Sequence, residues 1–139
     1  MDSCIKTTKQ RLVSLVDKKK GASKSKMLFE NPNKEVLKII EVDNCMIKEG
    51  SRCDYLIVDS NDTEYFIELK GNSILHACKQ IEETIVKISN NKTRIKFAFV
   101  VATVFPPAIN GSIQIMKSKF KNKYNSFLII KNKICTHKL

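Results

Sequence analysis

No apolar run in this chain approaches the roughly 20 residues that a membrane-spanning helix needs, so no membrane role is expected. The opening stretch, MDSCIKTTKQRLV, lacks the apolar centre of a secretory signal, and an intracellular protein of cytoplasm or nucleoid is expected. No CxxC pair occurs among the five cysteines. Without tight ligand spacing, a zinc site drawn from Cys45, Cys53, His76 or His137 is disfavoured, and free buried thiols are the default. No internal repeat or linker divides the 139 residues, which read as one domain spanning 1–139, long enough for a core of its own. Acidic residues are scarce, 14 against 25 Lys and Arg, for a formal charge of +11. A surplus of that size suits a polyanion such as nucleic acid. Coding bias toward Lys, Asn and Ile is the competing source of the charge.

The chain divides into short segments. Ile5, Thr8, Leu12, Leu15 and Val16 share a helical stripe, which predicts an amphipathic helix from Ser3 to about Lys19. Gly21 to Lys26 reads as a basic loop, able to touch phosphates around Lys24. Glu30-Asn31-Pro32-Asn33 is a turn cluster, and Glu35 to Met46 reads as a strand. Glu41 and Asp43 share one face of that strand, as extra acids for a site or as solvated side chains. Ile74 to Ser89 has the clearest helical spacing, with Ile74, Ala77, Cys78, Ile81, Ile85 and Ile88 on one side. The apolar run Phe97 to Val104 predicts a strand buried on both faces, ended by Pro106-Pro107. Ser112 to about Tyr124 reads as a second helix carrying Lys117, Lys119, Lys121 and Lys123. Ser126 to Ile130 reads as a last strand. The expected order is α-β-β-β-α-β-α-β, an α/β fold with a mixed central sheet flanked by helices.

The centre of the chain is a hairpin. Cys53 to Val58 and Glu64 to Lys70 are rich in β-branched and aromatic residues, joined through Ser60-Asn61-Asp62-Thr63. Gly71 breaks the second strand, and Ser73 is placed to cap the following helix. Glu68 and Lys70 are two apart, so a strand projects both from one face. Asp54 joins them if opposed residue numbers add to an even constant. A constant of 122 pairs Asp54 with Glu68, and 124 pairs it with Lys70. Two carboxylates beside a lysine suit hydrolysis assisted by a hard divalent cation. A solvated strand face with a weak Glu–Lys pair is the plain alternative. His76 and Gln80 stand one turn apart on the next helix, and His76 reads as a surface or structural histidine rather than a catalytic one.

Asp54 followed by Glu68-Leu69-Lys70, on a hairpin with a helix directly after it, resembles the signature of the PD-(D/E)xK nucleases. The resemblance covers about Val42 to Thr84. It implies a restriction-endonuclease-like αβββαβ core. It implies that Asp54 and Glu68, with the Leu69 carbonyl, hold Mg²⁺, for which Mn²⁺ substitutes. It implies that Lys70 assists the attacking water and that Gln80 helps to orient the site. The sequence departs from the family at Cys53, where a proline is usual. It has no glutamate on the first helix and no tyrosine downstream of Gln80 as in the recombination-type members.

The leading expectation is therefore a metal-dependent nuclease acting on DNA, with a homodimer as one arrangement suited to a two-stranded substrate. The alternative is a non-catalytic nucleic-acid-binding subunit on the same fold. An adaptor for protein partners is a third reading with no specific support.

Overall fold

The computed structural model of the chain describes residues 2–17, 25–70, 73–90, 92–103 and 110–139. After a 3-10 turn at Asp2–Cys4 come strands β1 (Ile5–Thr8), β2 (Leu12–Val16), β3 (Lys26–Glu30), β4 (Leu37–Glu41), β5 (Tyr55–Val58) and β6 (Glu64–Lys70). Helix α1 (Ile74–Ile88) leads to β7 (Lys96–Ala102), and helix α2 (Asn110–Tyr124) leads to β8 (Ser126–Asn132) and β9 (Ile134–Lys138). The fold is mixed α/β. A six-stranded sheet runs β1-β4-β5-β6-β7-β8, and a three-stranded sheet runs β2-β3-β9. Strands β4, β5 and β6 form an antiparallel meander. β7 is parallel to β6 across α1, and β8 is parallel to β7 across α2.

Alternation along the central strands assigns each face to a different layer. Leu56, Phe66, Ala98 and Val100 pack with Ile74, Ala77, Cys78, Ile81 and Ile85 of α1 and with Ile113 and Phe120 of α2. Tyr55, Ile57, Tyr65, Ile67 and Phe99 meet Val13, Leu15, Met27, Phe29 and Cys135 of the smaller sheet. The molecule is thus three layers, with helices on one side of the large sheet and a second sheet on the other. Phe99 to Ala102 are buried, as the apolar run predicts for a strand covered on both faces.

The expected N-terminal helix does not form. Its residues make β1, which pairs with β4, and β2, which pairs with β3. The helical stripe omitted Val13, and Val13 decides the outcome. Val13 and Leu15 point inward while Leu12, Ser14 and Val16 point outward, a period of two. β3 also lies where only a loop and a turn were expected. Met27 and Phe29 alternate inward there, both fully buried.

The cysteine expectation is corrected too. Cys4 and Cys45 form a disulfide that ties the first turn to the chain after β4. Cys53, Cys78 and Cys135 are free and buried. Residues after Glu41 leave the strand for a self-bonded turn, with Met46 N–H on Glu41 O (3.2 Å) and Ile47 N–H on Val42 O (3.0 Å). Ser73 precedes α1 but does not cap it through its hydroxyl. Its backbone is left-handed, φ +47°, rather than extended as capping requires. The loop around Lys24, Gly71 and Pro106-Pro107 lie outside the described residues.

Two buried charges are fully engaged. Lys96 Nζ donates to Lys92 O (3.1 Å), Arg94 O (2.9 Å) and Tyr124 O (3.0 Å). These use all three ammonium protons, and one ties β7 to the end of α2. Burial lowers the Lys96 pKa, partly opposed by the Glu64 charge. The Glu64 carboxylate accepts from Ser89 Oγ (2.5 Å) and Asn90 N–H (2.9 Å), closing the exit of α1 onto β6.

Candidate active site

The β5–β6 register has the even constant 122, with Tyr55 opposite Ile67 and Val58 opposite Glu64. The turn chemistry fixes it. Asp59 Oδ1 accepts the N–H groups of Asn61 (2.8 Å) and Thr63 (3.0 Å). Asp59 N–H bonds Thr63 O at 3.1 Å, leaving Ser60-Asn61-Asp62 as the loop. Asp62 takes the left-handed conformation, φ 63°, that three-residue hairpin loops need at their last position. A one-residue slip would break all of these bonds and exchange the residues that β6 presents to the helices with those it presents to the small sheet.

Asp54 lies one residue before β5, where the strand bends. In a regular antiparallel strand, one residue's N–H and C=O face the same neighbour. At Asp54 they are split. Its N–H donates to Ile67 O in β6 (3.1 Å), and its C=O accepts from Val42 N–H (3.0 Å) on the β4 side. This bend re-aims the side chain, and Asp54 Oδ2 accepts the Leu69 N–H at 2.8 Å. The carboxylate thereby closes the β6 backbone beside Glu68, where the β5 ladder has run out. Glu68 itself is only 4% exposed and lies opposite Val100 of β7. Lys70 ends β6 opposite Ala102. The Lys70 side chain lies outside the described part of the structure.

Both carboxylates bear on one buried group. The Cys53 thiol is pushed far above its ordinary value, first by burial, then by the Glu68 charge and more weakly by Asp54. A thiol so held is inert. Tyr55 stands in a second acidic field. Burial first, then Glu41, Asp54 and Asp17, push its hydroxyl up to about 12. Its O–H donates to Val16 O at 2.9 Å, fastening the end of β2 over the site. Asp17, Glu41, Asp43 and Asp54 line a cavity of about 340 Å³ with Asn44 and Tyr55. Both weaker candidates, Glu41 and Asp43, thus line the cavity. Asp43 is ion-paired with Arg52 at 2.8 Å.

Gln80 is tied to the backbone that precedes Asp54. Its amide donates to Arg52 O at 3.1 Å, so it holds the backbone that leads into Asp54. Thr84, one turn on, accepts the Cys53 N–H at 2.8 Å and donates to Gln80 O at 2.8 Å. Together they fasten α1 to the two residues before Asp54. Thr84 was not picked out from the sequence, although a polar residue three after Ile81 in an apolar stripe was the available signal. His76 is exposed, as expected. Thr84→Val removes the acceptor of a buried N–H and should cost about 1–3 kcal/mol in chemical denaturation. Thr84→Ser should recover most of that loss, and equal stability of both variants would show the bond to be unimportant.

Among the described residues, no three His, Cys, Asp or Glu side chains are gathered in a group that could hold a metal ion. The donor set is nonetheless chemically suited to Mg²⁺, which is commonly bound by one or two carboxylates, with water supplying the rest. Asp54, Glu68 and the Leu69 carbonyl offer hard oxygen donors of that kind. Comparison with family models, with curated proteins and with solved structures returns no match for this chain.

Proposed function

We propose that this chain is a Mg²⁺-dependent nuclease of PD-(D/E)xK type that hydrolyses phosphodiester bonds in DNA. The observation that carries the reading is the Asp54 carboxylate bonded to the peptide N–H between Glu68 and Lys70. The chain order β4-β5-β6-α1-β7, with β6 and β7 parallel, supports it, since it follows the βββαβ part of that family's core. The N-terminal helix of that core has no counterpart among the described residues.

Asp54, Glu68 and the Leu69 carbonyl would hold the cation, with Mn²⁺ able to substitute. The bound cation supplies polarisation of the scissile phosphate and a water of lowered pKa. The chain's own groups do the rest. The Leu69 N–H fixes one Asp54 oxygen, which limits the orientations of that carboxylate. Gln80 and Thr84 hold the segment that delivers Asp54. Lys70 would position the attacking water and offset the charge that grows on the phosphate. The alternative of a non-catalytic nucleic-acid-binding subunit draws on one observation, the lack of a gathered three-ligand group among the described residues.

Substrate binding is proposed to rest on backbone charge. Lys117, Lys119, Lys121 and Lys123 are all exposed on α2. Lys119 is paired with Glu82 at 3.0 Å, and Lys121 lies over the Phe127 ring at 4.2 Å. Lys117 is therefore the better test. DNA affinity should fall steeply with salt, and Lys117→Ala should reduce the slope of log K against log[salt] by about one unit, without changing sequence preference. A salt-independent affinity would assign the positive charge to composition alone.

A further inference from the structure

We propose that the outer face of the β2–β3–β9 sheet is a self-complementary interface between two copies of this chain. The register fixes what that face displays. Val16, Lys26 and Ile134 form one row, Ser14, Leu28 and Thr136 the next, and Leu12, Glu30 and Lys138 the third. The inner positions of the same strands, Met27 and Phe29 among them, are used against the large sheet. Leu12 (54%), Val16 (44%) and Ile134 (54%) are large apolar side chains left exposed, and Leu28 is half-buried between them. Isolated exposed apolar residues need no explanation, but four on one small sheet face form a patch.

The charges say what covers it. On β3, Lys26 and Glu30 flank Leu28 symmetrically, two residues to either side. Two sheets packed face to face keep their strands roughly aligned. A twofold axis in the interface, crossing the strands at Leu28, runs each β3 antiparallel over its copy. Lys26 then faces Glu30 of the second copy, and Glu30 faces its Lys26. Leu28 meets Leu28, Val16 meets Leu12, and Ile134 meets the aliphatic stem of Lys138. The other in-plane twofold, along the strands, sets Lys26 against Lys26 and Glu30 against Glu30 and is opposed by like charge. The pattern thus selects one isologous arrangement. The footprint is small, so the dimer is a weak one, with a dissociation constant on the order of 10 μM. The inference does not depend on the nuclease reading.

Sedimentation equilibrium of the full chain across about 1–300 μM tests it, with circular dichroism on every variant. Wild type should pass from monomer to dimer in that range. Lys26→Glu places two like-charge pairs in the interface and should weaken the dimer by about 100-fold or more. Adding Glu30→Lys to it restores opposite pairs and should return the dissociation constant to within about threefold of wild type. Leu28→Lys, at a half-exposed position, should leave a folded monomer. A wild type that stays monomeric throughout overturns the proposal. So does a dimer that tolerates Lys26→Glu, or one that the double swap fails to recover.

Discussion

Glu68→Ala is expected to lower metal-dependent DNA cleavage on the order of 10³-fold or more, with the fold intact and DNA affinity nearly unchanged. Glu68 is a buried carboxylate in a sheet face otherwise filled by Phe66, Val100 and the helices. Circular dichroism and a denaturation midpoint on the variant separate a loss of chemistry from a loss of fold. Under the proposed role of Glu68, the loss should appear in kcat rather than in substrate binding, because the cation would act on the reacting phosphate. Lys70→Ala should behave alike under the proposed role of Lys70 in positioning the attacking water. Glu68→Ala that cuts DNA as fast as wild type would remove this hairpin from consideration as the active site.

Phe29→Ala should give the largest loss of stability, about 3–5 kcal/mol. Phe29 is fully buried where the small sheet meets the large one. Its ring makes edge contacts with Tyr65 (centroids 5.5 Å apart), Phe99 (5.9 Å) and His137 (5.9 Å). Truncation leaves a void between two sheets that cannot collapse without breaking their registers. The loss is comparable to the whole stability of many domains, and the thermal midpoint should fall by on the order of 10 °C or more. A loss below about 1 kcal/mol would mean that the two sheets do not depend on this contact.

The hairpin, α1, β7, α2 and β8 were legible because their signals are local, whereas β9, which pairs with distant β3, was not expected. The Ser60–Thr63 turn, the β-rich runs of the hairpin and the apolar stripe of α1 each need only neighbouring residues; they left two even register constants open, of which the structure takes 122. The N-terminal third was not legible. Ile5 to Val16 carries a helix-like stripe, and only pairing with β4 and β3, far along the chain, makes strands of it. The same holds for the Cys4–Cys45 disulfide, which joins residues 41 apart.

Parts of the candidate site follow this division. Asp54 and Glu68 could be brought together on paper, since a hairpin obeys simple arithmetic. The bend that turns Asp54 Oδ2 onto Leu69 N–H could not, because it depends on the turn after β4 competing for the Asp54 carbonyl. Asp17 reaches the cavity only because β2 packs over Tyr55, and its place at the end of a supposed helix gave no hint of that. Gln80 was found for its position, but its amide serves the Arg52 carbonyl.

The most direct measurement is cleavage of plasmid and linear DNA by the purified chain in Mg²⁺, in Mn²⁺ and in EDTA. Nicking or cutting that requires Mg²⁺ or Mn²⁺, stops in EDTA and disappears in Glu68→Ala is the result predicted here. No cleavage with either metal, or cleavage that persists in EDTA, would contradict it.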